Sequence, residues 1–225
     1  MSRKRTYRTF TYREAVFRIC CEHFDIVTTE IVRQRGILED YISRYPDFRQ
    51  SLEPFDLLTG APDVAQTMAR AARLVGVGPM AAVAGAMAQC AGWAAIDAGA
   101  REVIVDNGGD IYIYAVEPVI IGLKTGTADL ANRLAFSLQA DDTPISICSS
   151  SGKMGHSMSL GECDLATVVA KDAAATQAAN LVGDVDDIDP ALENIAGIEG
   201  VDGVMIIKGD RVGLAGKLPP LVRIK

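Results

Sequence analysis

Three stretches of this chain put polar and titratable side chains beside glycine. In Asp106-Asn107-Gly108-Gly109-Asp110, two glycines separate the apolar runs Val103-Ile104-Val105 and Ile111-Tyr112-Ile113. Adjacent glycines let the backbone turn sharply and approach a ligand closely, and consecutive N–H groups there can form a nest for an anion. The flanking aspartates suit a sugar hydroxyl or a hydrated magnesium ion. The competing reading is a hairpin turn with Asp and Asn caps. In the second stretch, Ser149-Ser150-Ser151-Gly152-Lys153 leads to Gly155-His156-Ser157, and hydroxyls, glycines and an ammonium suit a phosphate or polar cofactor edge. Lys153 and His156 are the candidate catalytic groups, His156 as a general base or as a structural hydrogen-bonding cap. The stretch lacks the GxxxxGK spacing of a Walker loop, and chain order assigns no Ser-His-Asp triad. In the third, Asp172 and Thr176 stand four apart at the start of an expected helix, which places them one turn apart on one face. They are a candidate divalent-cation site, and Asp172 is equally well placed as a first-turn carboxylate favouring the helix dipole.

The elements that must position these groups are marked by period and punctuation. Strands are expected over 5–11, 15–20 and 24–29, then a helix from Ile31 to Tyr45 stopped by Pro46. Pro62 opens a helix ended by Gly76, with Val64, Met68, Ala71, Ala72 and Val75 as its packing stripe. Pro79 opens another through about Ala98, whose Ala81, Ala84, Gly85, Ala88, Gly92 and Ala95 form a face without bulk. Such a face implies close packing, and Trp93 beside it is expected to anchor a core or an interface. Strands follow at 101–105, 111–114, 118–123, 133–139, 145–148 and 164–170, then an alanine-rich helix over 171–182 and a short helix over 190–196. Residues 204–208 and 211–214 should pair across Gly209-Asp210, with 221–224 as an added edge. Hairpin-linked strands with helices in two blocks indicate an α+β layered fold with a mainly antiparallel sheet and packed helices. One domain over 1–225 is expected, with a helical portion around 31–99.

Composition narrows the function classes. The 225 residues are 49% hydrophobic and 23% charged, with a net charge of -7, so a disordered chain is excluded. Residues 1–50 carry ten basic against seven acidic side chains (+3), and the remainder 12 against 22 (-10). That balance argues against nucleic acid and against an anionic membrane surface as partners. MSRKRTYR reads as a solvated leader, with no apolar signal-peptide region after it. Five cysteines without a repeated CxxC, and two histidines, argue against a disulfide framework or a zinc centre. Reduced thiols in a cytoplasmic protein are the expectation. A homodimer is an open reading.

The segment from Ala94 to Ala100 followed by EVIVDNGGDIYIYA resembles the helix–strand–loop segment of the ApbE-like superfamily, which includes the FAD:protein FMN transferases. GVGPMAAVAGAMAQ at 76–89, ISRYPDFRQSLEP at 42–54 and SSSGKMGHSMSLGECD at 149–164 are similar to a small uncharacterised ApbE-related family of bacteria and archaea. The resemblance implies an ApbE-like fold and a pocket for FAD or FMN bordered by Asp106, Gly108, Gly109 and Asp110. It also implies an active region at His156, and Mg²⁺ at Asp172 and Thr176 through an A-D-x-x-x-T-like pattern. An ungapped match puts Gln177 and Leu181 there instead. The H-x-x-D-P-x-T-G segment of the transferases is absent, as are their lipoprotein leader and a DGxSGAT acceptor. The function implied is a small-molecule enzyme acting on a phosphate-containing flavin or nucleotide-like ligand by Mg-assisted phosphoryl or nucleotidyl transfer. The alternatives are a non-catalytic flavin- or nucleotide-binding protein, or a structural interaction protein.

Overall fold

In the computed structural model, residues 4–123, 133–150, 163–173, 175–177 and 187–224 are described. Strands β1 (Arg8–Tyr12) and β2 (Ala15–Cys21) form a hairpin, and helix α1 (Phe24–Arg44) follows. After the single-turn helix α2 (Asp47–Gln50) come α3 (Asp63–Val75), a 3₁₀ turn at Pro79–Ala82, and α4 (Val83–Asp97). Strands β3 (Val103–Asn107), β4 (Asp110–Tyr114), β5 (Val119–Gly122), β6 (Leu134–Leu138), β7 (Ile145–Ser150) and β8 (Leu165–Ala170) succeed one another. Helix α5 (Ile188–Ala196) precedes β9 (Val201–Lys208), β10 (Arg211–Gly216) and β11 (Leu221–Arg223).

Eight strands form one sheet in the order β1-β2-β3-β4-β7-β8-β9-β10, and β11-β6-β5 form a second. Every pairing is antiparallel. The alternation along each strand sorts the core into layers. Val103, Val105 and Tyr112 face α1, α3 and α4, whereas Ile104, Ile113 and Ile147 face the three-stranded sheet with Phe136 and Leu138. Ala166, Val168, Val204 and Ile206 pack under α5. The α+β, mainly antiparallel expectation holds.

Two expectations change. Residues 24–29 open α1 rather than forming a strand, because Phe24, Val27 and Ile31 recur at helical spacing and bury against the sheet. Their β-branched composition is overridden by that contact. Trp93 is 44% exposed, so of its core-or-interface expectation the buried-core half is dropped: its side chain hydrogen-bonds Tyr112 from the edge of the core, and Gly92 next to it is the residue turned inward. A Cβ on Gly92 would lie 2.3 Å from the Tyr112 ring, so α4 sits on the sheet only because that carbon is missing. Of the bulk-free face, Gly85, Ala88, Gly92 and Ala95 are buried, whereas Ala84 is half-buried and Ala81, also half-buried, belongs to the 3₁₀ turn. Pro79–Asp97 is long and apolar enough to cross a membrane by length and composition, and it is 56% buried, as suits a core helix.

The basic leader is docked from Arg5 onward. Its guanidinium makes paired bonds to Glu102 at 2.8 and 2.6 Å and reaches the carbonyls of Glu117 and Pro118. Much of ISRYPDFRQSLEP is packing chemistry, since Phe48 stands edge-on to both Tyr41 and Phe55.

Candidate functional site

The β3–β4 turn, the end of β7 and the start of β8 lie at one end of the large sheet. Register brings Asp110 opposite Cys148, and Ser149 N–H donates to Gly109 O at 3.0 Å. Gly108 and Gly109 have φ of 70° and 107°, and a Cβ on Gly109 would come within 2.8 Å of Ser149 O. Only glycine satisfies both demands at 109. The Asp106–Asp110 and Ser149-Ser150 candidates are thus neighbours. Ser151, Gly152, Lys153 and His156 lie outside the described residues.

Each polar side chain of the turn has a distinct task. Asp106 Oδ1 accepts from Gly109 N–H at 3.0 Å, closing the turn, and Arg18 stands 3.8 Å from its other oxygen. Burial raises the Asp106 carboxyl, while the Gly109 N–H and Arg18 oppose the shift. Asn107 Nδ2 donates to Ala84 O at 3.2 Å and ties the turn to α4. Ser149 Oγ and Thr167 Oγ1 share a bond of 3.0 Å.

Asp110 differs from the others. It points into the layer between sheet and helices, and burial pushes its carboxyl up to about 7, against a hydrogen bond from the Cys148 thiol. Cys148, equally buried, is itself raised well above the ordinary thiol range by burial and by Asp110. Among the described residues, Asp110 Oδ1 has no hydrogen-bond partner, and neither does Ser146 Oγ on the next strand. Unpaired buried polar atoms of this kind are rare enough to require a reason.

The third candidate docks along α4. Residues 173 and 175–177 are helical. Ala173 N–H donates to Gln89 Oε1 at 2.7 Å, and one turn later Gln177 Oε1 accepts from Gly85 N–H at 2.9 Å. The segment therefore runs antiparallel to α4, and Gln177 is the residue that arrives beside Ala84 and the β3–β4 turn. Asp172 Oδ1 accepts from Ala175 N–H at 2.9 Å, and Thr176 Oγ1 donates to Asp172 O at 2.6 Å. These are helix-capping and back-bonding contacts. Asp172 lies toward Cys90, whose thiol is pushed up to about 11 by burial, with Glu30, Asp63 and Asp172 adding to the shift. Among the described residues, no three His, Cys, Asp or Glu side chains gather to hold a metal.

A family model described as AbpE bacteria matches residues 22–210. The chain belongs to that family. A UPF0280 protein of Archaeoglobus fulgidus is 39% identical over 224 residues, covering 94% of this chain and 92% of its own. Another, from Methanothrix thermoacetophila, is 38% identical over 209 residues, covering 91% and 88%. Among solved structures, the apo form of Pseudomonas stutzeri flavinyl transferase ApbE superposes with a TM-score of 0.63 at 11% identity, covering 94% of each chain. Flavin transferase ApbE from Vibrio cholerae gives 0.57 at 12%, covering 94% of this chain and 96% of that one. At such identities the likeness is one of fold, which the family shares with these transferases.

Sequence reasoning found the β3–β4 turn and the Asp172 helix. It named Gln177 only as an alternative for the metal pattern, and it missed that Gln89 and Gln177 join that helix to α4. A lone glutamine on an otherwise apolar helix, as Gln89 is, was the available signal.

Proposed function

We propose that this protein binds a small phosphate-containing ligand of the flavin or nucleotide kind where the β3–β4 turn, the end of β7 and the first turn of α4 meet. The observation that carries the reading is Asp110 Oδ1, a buried acceptor directly after the Gly108-Gly109 turn that has no partner among the described residues. A ligand N–H or O–H reaching that atom relieves the desolvation it suffers alone. Asp106 and Asn107 hold the turn in shape, and Gly109 allows close backbone approach. Ser149 and Ser150 border the ligand's polar edge. The transferase fold of the structural neighbours supports a flavin as the ligand, FAD or FMN, and that assignment is part of the proposal.

Binding without turnover is the simpler form of this reading. Asp172 Oδ1 and the Thr176 hydroxyl proton are engaged in holding their own helix, so the pair does not make a cation cage. It fits only a magnesium ion held chiefly by ligand phosphate and water, with Asp172 and Thr176 as supplementary oxygens. Such an ion would neutralise phosphate charge. In the transferase reading, Lys153 and His156 balance the charge that develops on the phosphoryl group. A cytoplasmic protein without nucleic-acid or membrane partners, as a monomer or homodimer, is compatible with either form.

The test is calorimetric titration of FAD, FMN and AMP with and without Mg²⁺, on wild type, Asp110→Asn and Asp172→Asn. The binding reading expects an affinity lost in Asp110→Asn and insensitive to Mg²⁺. Magnesium-dependent affinity lost in Asp172→Asn supports the transferase form. Failure of all three ligands to bind overturns both.

A further inference from the structure

A concavity of about 500 Å³ opens between the β1–β2 turn, α1, α2 and the start of α4. Three arginines line it, Arg13, Arg35 and Arg49, in a chain whose net charge is -7. Glu39 is the common partner of two of them: its Oε1 accepts from Arg13 Nη1 at 2.5 Å and from Arg35 Nε at 2.9 Å. Arg35 also bonds Glu14 through Nη2. Arg49 makes no ion pair among the described residues. Arg13 has a φ of 53°, a left-handed conformation that costs energy in a non-glycine residue and here accompanies a side chain held at the cleft.

The two glutamates are not equivalent. The Glu39 side chain is 28% exposed on α1, while that of Glu14 is 68% exposed at the tip of the β1–β2 turn. Glu14 occupies the outer face of Arg35 much as a ligand oxyanion would, and it can swing into water without moving the backbone. With Glu14 withdrawn, three arginines against Glu39 leave a charge of +2. That is the complement of a phosphomonoester dianion, and planar guanidinium forks suit its oxygens. Apart from Ser43 at the exposed rim, the rest of the wall is apolar: Leu38 is buried, and Ile42, Met80 and Val83 are partly buried side chains packed against the core.

We propose that this cleft binds a small phosphomonoester, its phosphate on Arg35 and Arg49 in place of the Glu14 carboxylate and its apolar body against Ile42, Met80 and Val83. The site does not depend on Asp110. Its wall is nevertheless continuous with the site above, because residues 80–85 line the cleft through Met80 and Val83 and meet Asn107 and Gln177 through Ala84 and Gly85.

The test is titration of the whole protein at low ionic strength with 1-naphthyl phosphate, 1-naphthol and 1-naphthoate, followed by fluorescence. Arg49 and Glu14 are both exposed, so their variants should fold normally, and thermal melting verifies it. The naphthyl phosphate should bind and should be weakened by added salt. Arg49→Gln should weaken it about tenfold, as expected for loss of one charge-assisted contact. Glu14→Gln should tighten it, since the internal competitor is gone, and Asp110→Asn should leave it unchanged. Equal binding of 1-naphthol, or indifference to both Arg49→Gln and Glu14→Gln, overturns the proposal. Equal binding of 1-naphthoate overturns the assignment to phosphate. Loss of binding in Asp110→Asn alone would place the probe in the other site and overturn this one.

Discussion

Asn107 and Gln177, far apart in the chain, grip consecutive residues of one helix. Asn107 Nδ2 donates to Ala84 O at 3.2 Å, and Gln177 Oε1 accepts from Gly85 N–H at 2.9 Å. Both are backbone groups of the first turn of α4, where a helix cannot supply a partner for its own N–H. The β3–β4 turn and the segment after β8 are thereby fixed relative to each other through α4, although neither touches the other by any bond described above. Asn107→Ala should therefore loosen the proposed ligand site more than it destabilises the fold. The expected cost is about 1 kcal/mol in chemical denaturation, accompanied by faster amide exchange at Gly108 and Gly109. Unchanged exchange there would mean that the turn is held by Asp106 alone.

Asp110 should make stability fall as pH rises. Its folded-state carboxyl is pushed up to about 7 from an ordinary 3.8, so the folded protein holds a proton that the unfolded chain has released across that interval. The stabilisation is complete below the unfolded value and is lost as pH climbs through the folded one. Asp106, also raised by burial, acts in the same direction. Denaturation at pH 4.5, near the bottom of that window, and at pH 8, just above its top, should differ by about 3 kcal/mol from Asp110. In Asp110→Asn most of the slope should vanish. A wild-type stability that is flat over this interval would show that the carboxyl ionises freely.

Gln89 offers a sharper test of the helical layer. It is 4% exposed, and its Oε1 accepts the Ala173 N–H at 2.7 Å. Gln89→Leu leaves that buried donor without an acceptor and should cost about 1–3 kcal/mol. Gln89→Glu should be much milder at low pH than at neutral pH, because only the protonated acid avoids burying a charge.

The face of α4 tolerates no added bulk. Ala88→Leu should destabilise the protein by about 1–3 kcal/mol through overpacking. Gly92→Ala must displace the Tyr112 ring, so it should be destabilising even though alanine is the better helix former by about 1 kcal/mol. A stabilised Gly92→Ala variant would mean that the sheet can recede from the helix.

Much of the architecture could be read from punctuation. Pro62 and Gly76 bracket α3, Gly108-Gly109 and Gly209-Asp210 turn hairpins, and alternation placed most of the strands. The start of α1 was misread because Ile26, Val27, Thr28 and Thr29 favour strands locally and His23 supplies no side-chain cap. The turn at 106–110 was visible as a candidate site, but the inward aim of Asp110 depends on which face of β4 the helices cover, a long-range fact. The arginine cleft was not visible either. Arg13, Arg35 and Arg49 look like scattered surface charges until a hairpin and two helices bring them together.

The second sheet bears on how the chain is made. Strand β6 pairs with β5 on one side and with β11 on the other, and Ser137 N–H is satisfied by Pro220 O. During synthesis at about 5–20 residues per second, the hairpin of β5 and β6 emerges several seconds before its third strand exists. For that interval Ser137 lacks its acceptor and the β11 side of β6 is an open edge, which is the kind of edge that recruits foreign strands. Folding of this layer is thus a vectorial problem whose last step waits for Arg223 to leave the ribosome.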